Sequence, residues 1–266
     1  MSPEISNQSL LFLIVFVVVP LSLSYFYQLG MSRSILTSSI RGTIQLFAIG
    51  YILTFLFDLN AYIGIPLMIT VMIIIASFHA RKKGRDLPYV LPTLLAGLIM
   101  IEVSVLSLWL LFDMVEFVPS EVIPMSGMVI GNSMVAMGLA LERMKTEFAE
   151  NNGRILAALS LGAEPKQASH LIVQRTLNAA LIPNVDRIKT IGLVQLPGMM
   201  TGLILGGVAP IMAIKYQLVI SLSIFSSVSL SAMFVTLVMY KHFFTKDKQV
   251  LESKEAFKEY SSRDNA

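Results

Sequence analysis

Apolar residues along this chain come in long blocks divided by short polar and basic clusters. About 20 apolar residues, at 1.5 Å per helical residue, span the hydrocarbon core of a bilayer. Blocks of about that length lie at 6–27, 42–58, 61–80, 88–112, 122–141, 191–213 and 218–240. The pattern predicts an all-α integral membrane protein with about seven transmembrane helices. Its membrane domain covers 1–244, and residues 245–266 form a polar, charged tail on the inner side. The first block carries only Glu4 at its start, is longer than the apolar part of a secretion signal, and has no small-residue cleavage pattern after it. It is expected to remain as a span.

Composition sharpens this picture. Hydrophobic residues make up 55% of the 266 and charged residues 14%, against about 25% charged in an ordinary soluble domain. No cysteine is present, which excludes disulfides, thiolate metal sites and cysteine nucleophiles. The net charge of +3 reads as topology rather than as a nucleic-acid surface. With the N-terminus outside and the C-terminus inside, 19 of the 20 Lys and Arg residues fall on the inner side, leaving Lys215 outside. Arg33 and Arg41 lie in the first inner loop, and Arg81, Lys82, Lys83 and Arg85 in the second. The outer segments carry Glu4, Asp58, Asp113, Glu116 and Glu121. This separation is the positive-inside bias, and a six-span arrangement loses it.

The one long non-spanning segment, 142–190, predicts a cytoplasmic helix–elbow–helix. Leu141, Met144, Phe148, Ile155, Leu156 and Leu159 recur at roughly helical spacing, with a weak point at Asn151-Asn152-Gly153. In Gly162-Ala163-Glu164-Pro165, glycine suits the end of one helix and proline the first turn of the next. The second arm runs over about 165–182 and Pro183 ends it. Such an elbow suits a membrane subunit that must touch a soluble ATPase rigidly. Ala157, Ala158 and Gly162 resemble the Ala-Ala-x-x-x-Gly core of the coupling loop in ABC importer permeases, with Ala163 and Glu164 completing the candidate contact. The match is partial: Leu156 replaces the usual Glu, and Ile182-Pro183 falls late.

Polar residues inside the blocks are the candidate chemistry. A charged carboxylate at a helix centre costs about 2.5–3.5 kcal/mol on insertion scales, so Glu102 must face protein or water, or be neutral. It is a candidate cation, proton or metal site on a transport path; a protonated carboxyl bonded between helices is the structural alternative. Asn132 and Gln195 are candidate path residues and competent interhelical hydrogen-bonders. Pro197, Gly198, Gly202, Gly206, Gly207 and Pro210 make an ordinary sixth span unstable, and broken helices of this kind line cavities in transporters. The 16 methionines, including Met125, Met128, Met134, Met137, Met199 and Met200, read as core packing rather than ligands. His79, His170 and His242 sit at or beyond span ends. Gly127 and Gly131, with Gly138, suggest close helix approach.

Several segments together resemble the FetB-type permease family, the membrane halves of a bacterial ABC exporter associated with iron and related to plant subunits linked to aluminium tolerance. They are Arg41-Gly-Thr-Ile-Gln45-Leu, Ala80-Arg-Lys-Lys-Gly-Arg-Asp-Leu-Pro88-Tyr, Met128-Val-Ile-Gly-Asn132-Ser-Met-Val-Ala, Leu161-Gly-Ala-Glu164 and Leu196-Pro-Gly-Met-Met-Thr-Gly202 through Gly206-Gly207 to Pro210. They occur in order over about residues 40–240. The resemblance implies a permease homodimer in the bacterial inner membrane, paired with two copies of an ABC ATPase subunit in a four-subunit complex. ATP and Mg then sit on the partner, and this chain binds no cofactor and no nucleic acid. The sequence agrees in lacking a Gly-x-x-x-x-Gly-Lys-[Ser/Thr] phosphate loop. Export of iron or another metal cation is implied; the plant relatives point instead to a nucleotide sugar, UDP-glucose. An ion-coupled secondary transporter would want more intramembrane carboxylates than Glu102. An intramembrane enzyme lacks its catalytic motifs, and a seven-span receptor leaves the broken sixth span unexplained.

Overall fold

The computed structural model describes residues 12–57, 59–245 and 249–250. Among them, the chain builds α1 (Ile14–Phe26), α2 (Ser32–Phe57), α3 (Ala61–Arg81), α4 (Val90–Leu111) and α5 (Pro119–Glu150). These are followed by α6 (Asn152–Ser160), α7 (Pro165–Ala168), α8 (His170–Thr190), α9 (Gly198–Leu205) and α10 (Pro210–Met239). The only β pairing among the described residues is two isolated bridges, Ile191 with Gln195 and Phe244 with Val250. Five helical stretches, within α2, α3, α4, α5 and α10, are long and apolar enough to cross a membrane, and α1 is a shorter apolar helix. The all-α membrane fold is therefore present. Glu4, Asp58 and the tail from Lys246 to Arg263, except for residues 249 and 250, lie outside the described residues.

The chain divides into two units, one ending at Asn60 and one beginning at Ala61. In the first, Ser32 Oγ donates to Ser24 Oγ at 3.1 Å, tying α2 to α1. Helix α2 starts about ten residues before the predicted span, so Arg33 and Arg41 lie on a helix, not in a loop. Its hydroxyl-rich start is helix-competent because the side chains bond back one turn: Thr37 to the Arg33 carbonyl at 2.7 Å, Ser39 to Ile35 at 2.9 Å and Thr43 to Ser39 at 3.0 Å.

The second unit is organised on α5, which packs against α3, α8 and α10, while α10 also packs against α4 and α8. Val122, Ile123, Val129, Met137, Leu141 and Met144 repeat at helical spacing on α5 and are fully buried. Helix α10 answers with small residues. Ser227, Ser231 and Ala232 are fully buried, and the two hydroxyls donate to the Ile224 and Val228 carbonyls at 3.0 and 2.9 Å. Small side chains allow close approach where lipid supplies no hydrophobic drive between helices. The tightest approach is at Gly97 on α4, where an added Cβ would sit 2.7 Å from Met137 Cε and 2.8 Å from a Phe234 ring carbon. Of the glycines singled out in the sequence, Gly127 and Gly138 make only ordinary contacts and Gly131 faces open space.

Two further predicted boundaries change. Pro183 does not end the second arm: α8 continues through it to Thr190. The block at 191–213 is not one helix. It consists of an irregular 191–197, the eight-residue α9, a turn, and the start of α10 at Pro210. Gly207, at φ +93°, takes the left-handed position that ends α9. The Val208 N–H reaches the Leu203 carbonyl and the Gly207 N–H the Ile204 carbonyl, both at 3.0 Å, which is a Schellman ending. Pro210 then occupies the first turn of α10.

Candidate functional site

The predicted elbow is present and well defined. Helix α5 runs to Glu150, α6 restarts at Asn152, and Ile155 is buried and anchors the short arm. Gly162 ends α6 at φ +89°, with the Ala163 N–H on the Ala158 carbonyl at 3.0 Å and its own N–H on Leu159 at 2.9 Å. Glu164 caps α7, its N–H donating to Gln167 Oε1 at 3.0 Å in a capping box, and Pro165 follows. Glu164 therefore builds the turn. Ala157 and Gly162 are exposed, Ala158 and Ala163 half-buried, and Leu161 is 90% exposed at the tip.

Side chains join this corner to the bundle. Lys83 pairs with Glu142 at 2.8 Å and Lys145 with Asp86 at 2.7 Å, clamping the α3–α4 connection to the α5 extension. Arg175 of α8 reaches Glu147 at 3.5 Å. The Lys83–Glu142 pair is exposed on both sides and such a pair is worth about 0–1 kcal/mol, so it sets register more than stability. Phe148 is 3% exposed, stacks on Phe243 with centroids 4.1 Å apart, and meets Phe244 edge-on at 5.8 Å. The α5 extension and the segment that follows α10 are thus locked together.

Helix α8 then runs antiparallel along α5. Its Arg175 meets Glu147, and Arg187 donates to Asn132 Oδ1 at 2.9 Å. Asn132 is itself held by the Met128 carbonyl at 2.7 Å. Asn184 is buried and donates to the Phe225 carbonyl of α10 at 3.2 Å. Asn132, Asn184 and Arg187 line a cavity of about 190 Å³ with Pro183, Ala136, Val228 and other apolar neighbours. Asn132 thus accepts a hydrogen bond between helices; Arg187 and Asn184 are not among the residues singled out in the sequence. Arg187 lies past Pro183, where the sequence predicts the second arm to end, on the part of α8 that continues to Thr190.

The other candidates lie apart from this cavity. Glu102 on α4 is 2% exposed. It lies beside the Ser126 hydroxyl of α5, but neither group makes a well-formed hydrogen bond. Gln195 is exposed in the 191–197 stretch, where its carbonyl takes the Gly192 N–H at 3.0 Å. Pro197 caps α9, Gly198 and Gly202 lie within it, and Gly206 and Gly207 close it. Met125 and Met137 are buried, as packing predicts. No group of three or more His, Asp or Glu that could hold a metal occurs among the described residues.

A family model described as "Uncharacterised protein family (UPF0014)" matches residues 7–244. The chain belongs to the UPF0014 family. Among its relatives, it is 36% identical to the probable iron export permease protein FetB of Escherichia coli over 94% of this chain and 96% of that protein. It is 34% identical to the UPF0014 membrane protein YjkA of Bacillus subtilis, covering 92% and 98%. With the Arabidopsis thaliana protein ALUMINUM SENSITIVE 3 the identity is 32%, covering 89% and 87%. No solved structure matches the chain. The UPF0014 chain described here is thus a multi-pass membrane protein with a relative named as a permease, and the family resemblance read from its segments holds.

Proposed function

We propose that this chain is the membrane half of an ATP-driven exporter in the bacterial inner membrane. It works as a homodimer with two copies of a separate ABC ATPase subunit, which hold ATP and Mg. The cargo is iron or another metal cation, in line with the iron export named for the E. coli relative. The observation that carries this reading is the elbow. It presents Leu161, Ala157 and Gly162 on a fixed turn, and that turn is joined through the α5 extension to both α8 and α10. Closure of the ATPases against such a corner displaces α5 and α8 together, and the broken stretch between α8 and α10 takes up the movement. A secondary transporter has no use for this corner.

The test is retention of a co-expressed ABC ATPase by the affinity-purified permease. Ala157→Glu and Leu161→Glu place charge on the contact at two exposed positions. ATPase retention should fall to background while folded yield stays near wild type. Wild-type retention by both variants moves the coupling site elsewhere.

A further inference from the structure

Arg187 is an exposed cation in the last turn of α8, held beside Asn132 of α5. It lies beside the middle of α5 and α10, whereas Lys83, Lys145, Arg175 and Lys189 each pair with a carboxylate. Asp186, the adjacent acid, is taken by Lys189 at 3.1 Å. Among the described residues no carboxylate stands within ion-pair distance of Arg187, and its one hydrogen bond goes to the neutral Asn132 amide. Its side chain is exposed and lines the α5/α8/α10 cavity, so the guanidinium is open to an incoming anion.

The cavity beside it is furnished with donors. A guanidinium has five N–H groups and each asparagine amide nitrogen has two. One bond is made by Arg187 and one by each asparagine Nδ2, to the Met128 and Phe225 carbonyls. Those backbone anchors hold both amides in place before anything binds. No acidic side chain lines the cavity, so it disfavours a bare cation and lacks only the negative group. We propose that Arg187, with Asn132 and Asn184, forms a binding site for a phosphate-type oxyanion in the α5/α8/α10 cavity. The planar guanidinium offers two parallel N–H bonds to such a group, which lysine cannot. The oxyanion is supplied either by a soluble ligand, as part of or alongside the cargo, or by the headgroup of a phospholipid.

The experiment uses the full chain without an ATPase, purified in a maltoside detergent that carries no phosphate. Failure here therefore leaves ATPase coupling untouched, and failed coupling leaves this site untouched. Binding of radiolabelled inorganic pyrophosphate and retention of co-purified phosphatidylglycerol are measured on wild type, Arg187→Gln, Arg187→Lys and Lys189→Gln. Each sample is checked for fold by its thermal midpoint. A soluble source predicts pyrophosphate binding that Arg187→Gln weakens by roughly tenfold or more. A lipid source predicts phosphatidylglycerol retained by wild type and lost in Arg187→Gln. In either case Arg187→Lys, which keeps the charge without the fork, should be intermediate and Lys189→Gln unchanged. Equal binding by wild type and Arg187→Gln, equal loss in Lys189→Gln, or no binding of either probe by wild type overturns the site.

Discussion

Glu102 and Gly97 show how differently two residues of one helix are constrained. Glu102 is buried with only the Ser126 hydroxyl at hand, so it contributes no strong bond to the fold. Glu102→Gln keeps the shape and removes the ionisable group. Transport per folded molecule should fall more than folded yield does, and equal losses would make the residue structural. Gly97 is the reverse case, because its value lies in having no side chain. Gly97→Val forces Met137 and the Phe234 ring aside, and overpacking of this kind costs about 1–3 kcal/mol. The measurement is the thermal midpoint in detergent, and an unchanged midpoint would mean that the three helices part freely at this point.

At the scale of elements, the α5 extension is the piece that joins corner to bundle, and Phe148 is its main fastening. Phe148→Ala removes a stack on Phe243 and an edge contact with Phe244, at about 3–5 kcal/mol for a fully buried phenylalanine. Where the variant still folds, ATPase should be retained while transport per bound ATPase drops; unchanged transport would show that the α5–α10 lock is not on the coupling route. The same elements mark how far the sequence could be read. Helices α3, α4 and α5, the break at Asn151 and the turn from Gly162 to Pro165 were legible, because each rests on local signals: apolar runs, glycine ends and proline starts. Helix α8 was legible only in part: the second arm expected over about 165–182 breaks at Ser169 and runs on past Pro183 to Thr190. Pro183 reads as a stop, yet a proline inside a helix is tolerated where neighbouring helices hold it, and here α5 and α10 do. The start of α2 was missed for a different reason, since its serines and threonines satisfy themselves on the preceding turn.

For the molecule as a whole, the buried methionines, the α10 serines and the α5 apolar face describe an ordinary packed bundle, and the candidate chemistry gathers where α8 joins it. Of the predicted path residues, only Asn132 lines that cavity. The glycines from Gly198 to Gly207 instead shape α9 and its ending. Gln195 lies outside that cavity, in an irregular stretch rather than on the helix expected around it, and no periodicity in the sequence could reveal where such a stretch would fall. The continuity of α8 from the elbow to Arg187 has one more result, which concerns phase. Each residue added to a helix turns everything beyond it by about 100° and lifts it by about 1.5 Å. A single insertion between Arg175 and Arg187 would leave composition, charge and hydropathy nearly the same, yet swing the second arginine off α5. The arm between the two arginines is therefore fixed in length as strictly as it is free in much of its surface chemistry.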